Sequence, residues 1–276
     1  MVSVFGDDST DETKQRVFAG AGVIATEEEW EKIEGAWLER TGGIPFHATD
    51  CDSDQGVYAN TPHAENKALY KDLVQLLVNS EAHGFGACLD LVGFRTFYPE
   101  VPQDMCYYKA FWETVRSLAH FAKAHLNAGV KFTFDSRAES NYNAGMIYHV
   151  MANDSANSSG PELLEISFTG SAKQPRIQVG DLYAREVMKH LDNLIGPVKR
   201  KRKSMEVLME TKRFGADFFM HEYFEDMRKK TYLLEQGDPE FNRHTYIQWL
   251  KKTNQPDTPT NRFKFLAIVS SRKDKA

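Results

Sequence analysis

Strand-like and helix-like segments alternate along about the first 195 residues, and this alternation restricts the chain to a layered α/β sheet. The strand-like segments are Val2–Phe5, Val17–Ala25, Phe85–Val92, Val130–Asp135 and Leu164–Phe168. The first two are short, β-rich and joined through Asp11–Arg16, as in a hairpin. Amphipathic helices are predicted from Thr26, over Glu65–Asn79, over Met105–Leu126, over Tyr142–Ala152 and after Ile177-Gln178-Val179-Gly180-Asp181, which leads into the fifth. Thr26 followed by three glutamates is a helix start. Trp30 and Trp37, at helical spacing, are expected in the core. Gly196-Pro197 stops the fifth helix. Beyond it the pattern reads as helical over Ser204–Tyr232 and again from Asp238-Pro239, with a late apolar segment at Phe263–Val269. The expected organisation is an α/β core over residues 1–196 and a mainly helical extension over 197–276.

Three aspartates fall at comparable places in that pattern. Asp7 ends the first strand, Asp135 ends the fourth, and Asp181 opens the helix that closes the core. Acids that converge from separate elements can hold Mg²⁺ or Mn²⁺, because hard cations take oxygen ligands. Two such ions clamp the attacking and leaving oxygens of phosphoryl transfer. Each aspartate also has a plain reading. Asp7-Asp8-Ser9-Thr10 fits a polar turn, Asp135 a solvated strand end, and Asp181 a helix N-cap. Asp8 points away from Asp7, since neighbours on a strand face opposite sides. Arg137, just past the fourth strand, is a candidate phosphate contact or a surface ion pair.

Composition narrows the partners. The 276 residues are 41% hydrophobic and 26% charged, with a net charge of −5 that offers no global basic footprint for coating nucleic acid. The one dense cationic run is Lys199-Arg200-Lys201-Arg202-Lys203, which reads as a solvated linker or a local backbone-binding patch. Cys51, Cys88 and Cys106 form no disulfide framework, and His47, Cys51 and His63 fit no standard zinc spacing. The start of the chain lacks a basic-then-apolar leader pattern, and no stretch approaches a membrane span, so a cytoplasmic protein without a membrane partner is expected.

Four segments carry a resemblance. Phe5-Gly6-Asp7-Asp8-Ser9 looks like the opening of the domain-of-unknown-function 3800 family, and Phe46-His47 is similar to that family's histidine segment. Phe132-Thr133-Phe134-Asp135 resembles its central strand with aspartate, and Ile177-Gln178-Val179-Gly180-Asp181-Leu182 resembles its helix start. The resemblance spans residues 1 to about 195. Three positions depart from it: Asp8 stands where Glu is usual, Gly180 where Ala is usual, and Thr10 where Gly is usual.

The resemblance implies a ribonuclease-H-like mixed sheet flanked by helices, and a divalent-metal-dependent nuclease with Mg²⁺ or Mn²⁺ held by Asp7, Asp135 and Asp181. It also implies a fourth acid, for which Glu65 is the first candidate, ahead of Asp50, Asp52 and Glu139. His47 is the candidate general acid/base. Nucleic acid is then the expected partner, and the extension would shape a substrate groove or a homo-oligomer interface. The alternative is a non-catalytic binding or structural module on the same fold.

Overall fold

The structure, a computed structural model, describes residues 1–138, 140–153, 163–197, 199–237, 239–256, 261 and 265. These residues divide into two compact units, Met1–Leu89 with Cys106–Phe218, and Asp90–Met105 with Phe219–Ala276.

The first unit is built on a mixed six-stranded sheet, order β5-β4-β1-β2-β3-β6. The strands are β1 (Val2–Thr10), β2 (Val17–Thr26), β3 (His83–Asp90), β4 (Val130–Asp135), β5 (Leu163–Thr169) and β6 (Phe214–Phe219). β1 pairs antiparallel with β2 from Val2 opposite Thr26 to Thr10 opposite Phe18. On its other edge β1 pairs parallel with β4, but only as far as Gly6 opposite Phe134. β4 pairs parallel with β5. From β1 the chain turns to one side of the sheet, and from β4 to the other. A crevice at such a reversal, at the carboxyl ends of the strands, is where open α/β sheets bind ligands.

The hairpin turn is organised by Asp11. Its buried carboxylate accepts the backbone N–H groups of Thr13, Gln15, Arg16 and Val17 at 2.8–3.1 Å. Burial opposes ionisation there, but the donors from Thr13, Val17 and Arg16 hold the carboxyl below its usual range. Asp7 and Asp8 are not turn residues. They lie inside β1, which runs on to Thr10.

Helices α1 (Glu27–Thr41), α3 (His63–Asn79), α7 (Pro175–Ile195) and α8 (Lys203–Glu210) stack on one face, joined by the short α2 (Ala48–Asp52). Thr26 caps α1, its hydroxyl accepting the Glu29 N–H. Phe5, Val17, Ala19, Ala21 and Val23 meet Trp30, Trp37, Leu182 and Val187 in the core there. On the other face lie α5 (Met105–Phe121), which continues into a π-helical turn over Ala122–Leu126, and α6 (Asn141–Asn153). Phe111 of α5 packs on Phe134, and Tyr148 of α6 on Phe132.

The mixed α/β architecture agrees with the sequence reading, while the extension differs. Residues 203–218 belong to the first unit, and β6 adds a strand within the segment that reads as continuously helical. Tyr183 of α7 secures that strand, its hydroxyl lying 3.3 Å from the Gly84 carbonyl and 2.6 Å from the Gly215 carbonyl. The second unit contains α4 (Leu91–Phe97), α9 (His221–Gly237) and α10 (Pro239–Thr253). Asp90 caps α4, and Phe94, Tyr98 and Phe224 pack ring to ring. Phe265 lies against Tyr246 and Trp249; the rest of the late apolar segment Phe263–Val269, apart from Asn261 just before it, is outside the described residues. Among the described residues, no helix is long and apolar enough to cross a membrane.

Candidate functional site

Sheet register brings two of the predicted acids together. Phe134 packs toward α5, so the alternation of β4 turns Asp135 to the opposite face. Phe5 packs on Trp30 of α1, which places Asp7 on that same face beside Asp135. The third acid arrives on α7. A Cβ on Gly180 would stand 2.9 Å from Gly6 Cα and 3.0 Å from the Phe5 carbonyl, so helix and strand meet backbone to backbone at this point. Asp181 follows immediately. It lies in the second turn of α7, which begins at Pro175, so it is not the helix N-cap.

The segment carrying His47 is gripped from the same helix. Gln178 Oε1 accepts both the Trp37 indole N–H and the Phe46 N–H at 3.0 Å. One turn on, Asp181 Oδ2 accepts the Ala48 N–H at 2.7 Å. His47 is thereby held beside Asp181 with its ring exposed, and its Nδ1 lies 3.2 Å from Asp50 Oδ2. The role of Gln178 was not apparent in the sequence, because a helix-start glutamine shows no sign of a distant loop.

Electrostatics bind the acids into one group. Burial, then the charges of Asp181, Asp8 and Asp135, raise the Asp7 carboxyl well above its usual range. Burial pushes Asp181 up to about 6, although His47, the Ala48 N–H and Arg185 work against it. Asp8 is also pushed by burial to about 6, against the pull of Arg137. Thus Asp8, on the far face of the strand, is the fourth acid that Asp7 feels. Glu65 is exposed on the first turn of α3 and is not among those charges. Glu139 lies outside the described residues.

Asp8 has a partner. Arg137 Nη1 donates to its Oδ2 at 2.9 Å, and the guanidinium lies 5.2 Å from the Tyr107 ring and 5.9 Å from the Phe18 ring. A cleft of about 10 Å³ opens here, lined by Asp7, Asp8, Asp135, Phe18 and Tyr107 among others. Such a space holds a single water or ion.

The donors suit a hard cation in kind, being carboxylate oxygens with uncompensated charge. Several are already engaged: Asp7 Oδ1 accepts the Asp8 N–H at 2.7 Å, and Asp135 Oδ1 accepts the Ser171 N–H at 2.9 Å. Among the described residues, no group of three or more His, Cys, Asp or Glu side chains is arranged to hold a metal ion. His63 pairs with Asp54 at 2.6 Å, and Cys51, Cys88 and Cys106 are buried free thiols.

Asp52 and the cationic run serve a second network. Glu186, fully buried, accepts the Tyr70 hydroxyl at 2.8 Å, the Ser204 hydroxyl at 2.5 Å and Arg202 Nη2 at 2.6 Å. Asp52 accepts Arg185 at 3.1 Å and Arg202 at 3.3 Å. Arg200 is tied to Asn193, Lys199 to the Leu194 carbonyl and Lys201 to Glu206. Arg202 thereby fastens α8 to α7, while Lys199, Arg200, Lys201 and Lys203 stay exposed as a solvated linker would.

No family model matches the chain, and no curated protein matches it.

Proposed function

We propose that this chain is a divalent-metal-dependent phosphodiesterase acting on nucleic acid, built on a ribonuclease-H-like core of the kind seen in the domain-of-unknown-function 3800 family. The observation that carries this reading is the gathering of three carboxylates where β1 and β4 part, the buried Asp181 with the half-buried Asp7 and Asp135, whose charges together raise the Asp7 carboxyl. Burying like charges together costs stability, and protein sites accept that cost where a function needs it. The mixed sheet, with β1 between an antiparallel and a parallel neighbour, supports the fold part of the reading.

Asp7, Asp135 and Asp181 would hold Mg²⁺ or Mn²⁺, which supplies charge neutralisation and a water of lowered pKa when bound. Glu65, exposed on α3, would have to swing toward the cluster to join them, whereas Asp8 already feels its field. Gln178 and the Asp181 carboxylate fix the Phe46–Ala48 backbone, which sets where His47 stands. Asp50 orients the His47 ring through Nδ1, leaving Nε2 to exchange a proton with a substrate oxygen. The cleft admits an ion or a water but no nucleotide, so a phosphate would have to sit at its mouth.

A second reading, a non-catalytic module, is favoured by the Asp8–Arg137 pair, which gives the cluster an internal counter-charge. A screen of RNA and DNA substrates with Mn²⁺ separates the two. The enzyme reading expects cleavage that is lost in Asp7→Asn by at least about a hundredfold, the scale of losing an electrostatic catalytic group. Cleavage that survives in Asp7→Asn refutes the assignment.

A further inference from the structure

Arg137 donates a hydrogen bond to Asp8 of the acid cluster. It is also unusually placed for a surface arginine. Its backbone N–H is fixed by Asn141 Oδ1 at 2.9 Å, so the chain beyond β4 cannot drift. Its guanidinium lies near two aromatic rings that line the cleft, Tyr107 and Phe18, and its side chain remains one-third exposed. An arginine over an aromatic ring keeps its planar donors pre-arranged, and those donors match the oxygens of a phosphate. Only one of them is engaged with Asp8.

We propose that Arg137 is the phosphate-recognising residue of this site, held in reserve on Asp8 and released when a divalent cation takes over that carboxylate. The proposal rests on the metal-dependent reading above. Two cations compete for one carboxylate: the resident guanidinium and the incoming ion. Once displaced, the guanidinium keeps its place against Tyr107 and Phe18 and offers its fork to a phosphate at the cleft mouth.

The test is calorimetry on the full chain, with Mn²⁺ titrated into wild type, Arg137→Gln, Arg137→Lys and Asp7→Asn. Inorganic phosphate is then titrated into the Mg²⁺-loaded proteins. Removing the competing charge is expected to tighten Mn²⁺ binding about tenfold in Arg137→Gln, the lower end of what a charge-assisted contact is worth. The same variant is expected to lose phosphate binding. Arg137→Lys, which keeps the charge, is expected within about twofold of wild type for Mn²⁺ and guards against a folding defect in the glutamine variant. Mn²⁺ binding that is abolished by Asp7→Asn but unchanged in Arg137→Gln overturns this inference alone. Phosphate binding that persists in Arg137→Gln also overturns it alone. No Mn²⁺ uptake by any of the four proteins overturns both this inference and the reading beneath it.

Discussion

At the scale of single residues, Asp181 is nearly fully buried, beside other acids, and its carboxyl is pushed from 3.8 up to about 6. Asp7 is raised as well, by burial and by its neighbours. The folded state therefore binds protons more tightly than the unfolded chain between about pH 4 and pH 6, and stability falls as pH rises through that window. For Asp181 alone the shift corresponds to about 3 kcal/mol. Asp181→Asn is expected to raise stability at pH 7 by about 1–3 kcal/mol and to change it little at pH 4. Urea unfolding at the two pH values checks this. A loss of stability at pH 7 would mean that the carboxylate is compensated in the fold. Asp7, Asp135 and Asp181 could be singled out in the sequence because each lies next to a patterned element, although Asp7 falls inside β1 and Asp181 in the second turn of α7. The Asp8–Arg137 pair could not, because it depends on how far the β1–β4 ladder runs before the strands part. Asp11, which does the turn's work, was hidden among nearby acids with the same local appearance.

At the scale of elements, the site exists because α7 touches β1 without side chains between them. Alanine at 180, the residue usual in the resembled family, would press its Cβ on the backbone of Gly6. Backbone atoms cannot rotate away. Gly180→Ala gains about 1 kcal/mol of helix propensity. It is nevertheless expected to destabilise the protein by about 1–3 kcal/mol and to move Asp181 away from Asp7. Thermal unfolding checks the first effect, and Mn²⁺ affinity checks the second. An unchanged melting temperature together with unchanged affinity would show that the contact is looser than the packing implies. The strand and helix order of the core was readable because each element carries a clean period. β6 was not, because Phe214-Gly215-Ala216-Asp217-Phe218-Phe219 is a six-residue strand lodged between two helices, and its alternation is too brief to stand out.

At the scale of the whole molecule, Arg185, Glu186 and Asp192 are among the few charged side chains that are buried. The net charge of −5 offers no global basic footprint, and Lys199–Lys203 is a local cationic run whose members other than Arg202 are exposed. On the proposed function, affinity for nucleic acid is expected to come from a few local contacts, with a shallow dependence on salt. The division into two units was not readable, because the second gathers Asp90–Met105 from the middle of the chain, a segment whose two prolines mark it only as a loop. The account as a whole stands on the three aspartates forming one cation-binding cluster, and the melting temperature with and without Mn²⁺ tests that most directly. An ion bound at a hundred times its Kd stabilises the folded state by about 2.7 kcal/mol. Wild type is expected to melt several degrees higher with saturating Mn²⁺, while Asp7→Asn melts at or above the metal-free wild-type temperature and gains nothing from the ion. An equal gain in both proteins, or none in either, would contradict the cluster.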